Sequence, residues 1–132
     1  MAKKTTSTKT TKAKKGNSAP IGRAYIYSGY NNTIVNITDL DGNTICWGSS
    51  GSNNFKGSRK STPYAASVVG EKVAKKAFEL GVKEVSAFMK GIGTGKTLAV
   101  KALRNSGLLI NKITDITPMA HNGCRAKKRR KM

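Results

Sequence analysis

Seven consecutive residues, Gly91-Ile92-Gly93-Thr94-Gly95-Lys96-Thr97, bring together glycines, a lysine and a hydroxyl, the residue types that handle phosphate. The Gly-Lys-Thr ending invites a nucleotide-hydrolysis reading, but a P-loop also needs a glycine five residues before Gly95, and Lys90 stands there. Asp115 follows Ile113-Thr114 in a short terminal strand and is a poor candidate for the acid that would hold magnesium. The physics of the turn survives without hydrolysis: glycines let the backbone approach an anion, and a following helix terminus attracts one. The bland alternative is a tight strand-to-helix turn with no ligand. A second candidate is the polar, basic stretch that begins at Gly51, in which Lys56, Arg59 and Lys60 directly precede an expected helix start. Three cations beside unpaired helix N–H groups make an anion site, best suited to phosphate.

Catalytic groupings are not supported. Two-metal nuclease chemistry needs clustered carboxylates. The first strand carries none, and Asp39 and Asp41 flank a hairpin turn where Asp is expected for turn reasons alone. Glu71, Glu79 and Glu84 lie on a helix or at a strand edge, where pairing with a cation is their expected use. A Ser–His–Asp arrangement would have to use the single His121, in a terminal segment rich in glycine and arginine. Zinc fares no better: His121, Cys124 and Cys46 are three ligands where a structural site takes four, and Cys46 beside Trp47 reads as a small buried hydrophobe. No enzyme activity, metal, cofactor or small-molecule substrate is expected.

The elements that must position these residues follow from periodicity. Arg23 to Ser28 alternates Ala24 and Ile26 against Tyr25 and Tyr27 as a strand, Gly29 to Asn32 turns, and the β-branched Thr33 to Thr38 forms a second strand. Asp41-Gly42 turns the chain into a third, Thr44 to Ser49. Thr62 caps a helix with Pro63 at its first position, and Gly81 ends it. Ala66, Val69, Val73, Ala77 and Leu80 form its apolar arc, opposite Glu71, Lys72, Lys75, Lys76 and Glu79. Glu84 to Lys90 is a fourth strand, about Thr97 to Ser106 a second helix with Leu98, Ala102 and Leu103 inward and Lys101 and Arg104 outward, and Leu109 to Thr117 a fifth strand. The order βββαβαβ implies an α/β fold with a mixed five-stranded sheet, parallel crossovers, flanking helices and RNase H-like topology.

Charge sets the partner. Six Lys fall in residues 1–19 and six Lys or Arg follow Cys124, leaving thirteen in the core, where all six acids lie; the core is +7 and the whole chain +19. Such a chain repels itself and needs a polyanion. Nucleic acid leads over an anionic membrane surface, because no apolar run approaches the ~20 residues of a spanning helix and the basic ends carry no apolar face. Residues 1–19 could also be read as a transit peptide, but with only Lys and no apolar stripe they fit a disordered basic arm better. There is no apolar signal region, and two Cys this far apart form no disulfide framework, so a reducing compartment is expected. The division expected is 1–19 as arm, 20–120 as a single RNA-binding domain, and 121–132 as a basic tail in which His121 and Asn122 can bond bases or sugars.

Three separated stretches carry a resemblance: FKGSRKSTPYAA (Phe55 to Ala66), GIGTGK (Gly91 to Lys96) and DITPMAHNGCR (Asp115 to Arg125). In that order, within residues 20 to 132, they closely resemble the universal small-subunit ribosomal protein family S-eleven. The resemblance implies a structural, non-catalytic role without cofactor: binding small-subunit ribosomal RNA in the platform, beside neighbouring platform proteins and messenger RNA near the exit site, in cytoplasmic or, secondarily, organellar ribosomes. It implies RNA contacts at Asn31, Asn32, Lys56, Arg59, Lys60, Gly93, Gly95, Lys96, His121, Asn122, Arg125, Lys127, Lys128, Arg129 and Arg130. The chain departs from the family at Ala120 and Ala126-Lys127, where prolines are usual, and at Lys96, where Arg is common. These changes imply a less stiff tail and a turn without bidentate grip. A generic nucleic-acid-binding architectural protein is the alternative.

Overall fold

The computed structural model describes residues 20–129. The expectations for the arm 1–19, and for Arg130 and the residues after it, lie outside the described residues. The elements run β1 (Ile21–Ser28), β2 (Thr33–Thr38), β3 (Thr44–Ser49), two short 3-10 turns (Gly51–Asn53 and Gly57–Ser61), α1 (Pro63–Glu79), β4 (Glu84–Lys90), α2 (Lys96–Asn105) and β5 (Leu109–Asp115). This is the expected βββαβαβ order. β1 starts at Ile21, not Arg23, because Ile21 already pairs with Glu84; Gly22 interrupts the side-chain alternation without interrupting the ladder. The glycine is required there, since a Cβ would stand 2.6 Å from the Thr38 carbonyl oxygen.

Strand order in the sheet is β3-β2-β1-β4-β5. β2 is antiparallel to both neighbours, while β1, β4 and β5 are parallel, an arrangement compatible with an RNase H-like topology. Connection length explains this: short turns allow only antiparallel return, whereas parallel pairing needs the helical crossovers α1 and α2. The β2–β3 turn is organised by Asp39, whose carboxylate accepts from the backbone N–H groups of Asp41 and Asn43 and from the Asn43 side chain. Those bonds hold its pKa below the usual carboxylate value.

Both helices lie on one face of the sheet and against each other. Val69, Val73 and Ala77 of α1 and Ala99 and Leu103 of α2 close over Ala24, Ile26, Val35, Ile37, Val85 and Ala87. Each Val or Leu so buried contributes roughly 1.5–3 kcal/mol. The expected α1 arc is correct, with Leu80 half-buried at its end. In α2 Ala102 and Leu103 are buried and Lys101 and Arg104 exposed, as expected, while Ala99 and Val100 join the inward face and Leu98 is only half-buried. The reason is helix contact: a Cβ on Gly70 of α1 would stand 2.8 Å from the Ala99 carbonyl oxygen, so α2 turns its Ala99 surface to that glycine. β5 is the least covered strand, with Leu109 and Ile113 more than half exposed beside a groove of about 480 Å³.

Candidate nucleic-acid interface

Since β3 runs with the parallel strands, the carboxyl ends of β1, β3, β4 and β5 and the start of β2 meet at one end of the sheet. Open α/β sheets bind their ligands at the carboxyl ends of strands. Every group of expected contact residues hangs from that end. Asn31 and Asn32 form the β1–β2 turn, Lys56, Arg59 and Lys60 follow β3, Gly93, Gly95 and Lys96 follow β4, and His121 onward follows β5.

Within the first turn Asn31 is exposed, whereas the Asn32 side chain is engaged, accepting from the Thr33 N–H at 2.9 Å. After β3, two 3-10 turns present Lys56 and Arg59 to solvent and Lys60 half-buried. They fold this way because Asn54 and Gly57 adopt left-handed φ values of 66° and 61°. Thr62 then caps α1, accepting from the Ala65 N–H and donating to the Arg59 carbonyl at 2.7 Å, which fixes the basic turn to the helix start.

The glycine turn is packed more tightly than its composition suggests. A Cβ at Gly91 or Gly93 would collide with the backbone of Ser28 or Gly29, and one at Gly95 would stand 2.7 Å from the Ala66 Cβ. Gly93 N–H donates to the Ser28 carbonyl at 2.8 Å, and Gly95 N–H to the Ser28 hydroxyl at 3.2 Å. These two donors are therefore used inside the protein, and the glycines serve close packing. What faces outward is the start of α2, which has no side-chain cap. Lys96 has a side chain only 23% exposed and lies 2.8 Å from the Asp115 carboxylate; it also donates to the Gly91 carbonyl. Asp115 accepts further from the Thr117 hydroxyl and N–H, and with Lys96 as the leading cause its pKa is pushed well below the carboxylate range. The Gly91 N–H donates to the same Thr117 hydroxyl, so this cluster ties the base of the tail to the glycine turn.

Ser28, Asp115 and Thr117 were not marked as site residues in the sequence. Ser28 had a signal, a hydroxyl at the inward position of the Ala24, Ile26, Ser28 alternation. Asp115 and Thr117 had one only as members of the DITPMAHNGCR stretch, and their bonds to Lys96 and Gly91 followed only from the fold. The tail from His121 to Arg129 is exposed and without regular structure, and Asn122 turns with φ of 61°. Glu71 pairs with Lys75 at 2.8 Å, as expected for a helix acid, whereas Glu84 accepts from Asn111 instead of a cation. Among the described residues no three His, Cys, Asp or Glu side chains are grouped to hold a metal, and no helix is long and apolar enough to cross a membrane. Cys46 is a buried thiol donating to the Val73 carbonyl, and burial pushes its pKa up to about 11.

A basic α/β domain that sets Lys56, Arg59, Lys60 and Lys96 beside its strand ends has the charge and geometry to bind nucleic acid. The family model of ribosomal protein S11 matches residues 22–131, and the chain belongs to that family. It is thus a structural protein of the small ribosomal subunit that binds ribosomal RNA, with a place in the ribosome and in translation.

Proposed function

We propose that the chain binds ribosomal RNA in the small-subunit platform of cytoplasmic ribosomes, near the path of exiting messenger RNA, and hydrolyses no nucleotide. The observation that carries this reading is that Asn31, Lys56, Arg59, Lys60 and Lys96 lie at one end of the sheet, where the tail bearing His121, Asn122, Arg125, Lys127, Lys128 and Arg129 also leaves β5. Arg130 continues the same charge run in sequence. Phosphate contacts fix orientation, and Asn31, Asn122 and His121 are the groups able to read bases or sugars. In this reading Asn32, Gly93 and Gly95 shape the surface, since the Asn32 Oδ1 and the Gly93 and Gly95 N–H groups are already bonded within the protein. Lys96 reaches a phosphate by leaving or sharing Asp115. Neighbouring platform proteins and messenger RNA complete the partners. The test is crosslinking in isolated small subunits: crosslinks from Lys56, Lys60 and the tail to platform RNA are expected. Equal affinity of the protein for arbitrary duplex DNA and for small-subunit RNA would replace this reading with a generic architectural one.

A further inference from the structure

We propose that the helix-free face of the sheet is a second RNA-binding surface, which takes an unpaired segment by stacking its bases on aromatic side chains. The proposal rests on the reading of the chain as a ribosomal RNA binder, but concerns a surface distinct from the strand ends. Register places Trp47, Asn36, Tyr25, Phe88 and Thr114 in one row across the five strands, with Ile34, Tyr27 and Lys90 in the row beside it. No described element covers these rows, because both helices occupy the opposite face. Trp47 is 58% exposed and Tyr27 47%, while the Tyr25 and Phe88 rings stack at 5.4 Å and 18° and so hold each other upright. Trp47 and Tyr25 stand two strands apart, about 10 Å, with Asn36 as the floor between them. The Asn36 Oδ1 has no hydrogen-bond partner in the protein.

The surrounding charge selects RNA as the occupant. Arg23, Lys90 and Lys112 share this face by register, and the single acid that does so, Glu84, is bound to Asn111. Around the β3 edge, Trp47 borders a cavity of about 220 Å³ with Lys72 and Lys76. A ring with a cation next to it matches a base with its phosphate, and a sheet with exposed aromatic side chains is a general platform for unpaired bases. A purely apolar protein partner would leave these cations desolvated without an opposite charge.

The chain has one Trp, so its fluorescence reports this face alone. Full-length protein is titrated with a single-stranded oligoadenylate of about ten nucleotides and with an RNA duplex of the same length, following Trp47 emission and, separately, anisotropy of labelled RNA. Quenching by the single strand only is expected. Tyr27→Ala should weaken the quenching-derived affinity roughly tenfold, while Tyr27→Phe should retain it. Tyr27 is half-exposed and off the core, and a circular dichroism spectrum checks that both variants fold. Single-strand binding by anisotropy with unchanged Trp47 emission would overturn this proposal and leave the strand-end reading intact. Binding of neither RNA would overturn both. An emission shift caused by purified small-subunit proteins but not by RNA would reassign the face to a protein and overturn it as well.

Discussion

Two glycines with left-handed φ show how the surroundings of a residue decide its importance. Gly91 (φ 105°) has the Ser28 carbonyl where a Cβ would go, whereas Gly42 (φ 92°) has open space. Gly42→Ala should cost about 1–2 kcal/mol, the conformational penalty alone, and Gly91→Ala more than about 3 kcal/mol. Urea denaturation measures both; equal losses would mean that the turn is free to move off β1. At the same end, Asp115 ionises more readily in the folded protein than at its ordinary value of 3.8. A depressed carboxylate pKa stabilises the fold above that value, and the contribution is lost as pH falls below it. Stability of Asp115→Asn should therefore fall less steeply between pH 4 and lower values than that of the parent, as followed by acid titration of melting temperature. Lys96→Ala, which removes the partner, should remain folded, bind small-subunit RNA more weakly, and show no ATP or GTP turnover, like the parent.

At the scale of the element, α1 is defined by two neighbouring residues with opposite surroundings. Val73 is 1% exposed under β3, while Lys72 beside it is exposed. Val73→Asp places an unpaired carboxylate in the core and should unfold the domain, a loss of more than about 4 kcal/mol. Lys72→Asp should change stability by about 0.5 kcal/mol or less. Thermal melts that coincide for the two variants would refute the assignment of faces. The Thr62 cap works at the same scale, since it both starts α1 and holds the turn carrying Arg59.

The molecule as a whole carries +19, with six of its cations after Cys124. Each phosphate neutralised on a single strand contributes about −0.7 to the slope of log affinity against log salt. If all six cations engage, deleting residues 125–132 should flatten that slope by about 4 on small-subunit RNA, and by proportionately less for partial engagement. A salt titration of full-length and truncated protein makes the comparison. An unchanged slope with affinity lost equally at every salt concentration would show that the tail acts through folding or protein contacts.

Local rules were enough for the hairpins, the α1 cap and face, the charge of the tail and the order of elements, because each depends on residues within a turn or two of one another. The three motifs that resemble the S11 family are likewise contiguous in sequence. Tertiary structure decided the remainder. Lys96 meets Asp115 from nineteen residues away, and Ser28 receives the Gly95 N–H from sixty-seven away, so neither the neutralised lysine nor the occupied glycine donors followed from spacing. The close approach of Ala99 in α2 depends on Gly70 of another helix, which periodicity within α2 does not contain. Nor does alternation within a strand say which side the helices will cover. Both crossovers brought them to one face, and that choice is what leaves Trp47 and Tyr27, in adjacent rows of the other face, open to solvent.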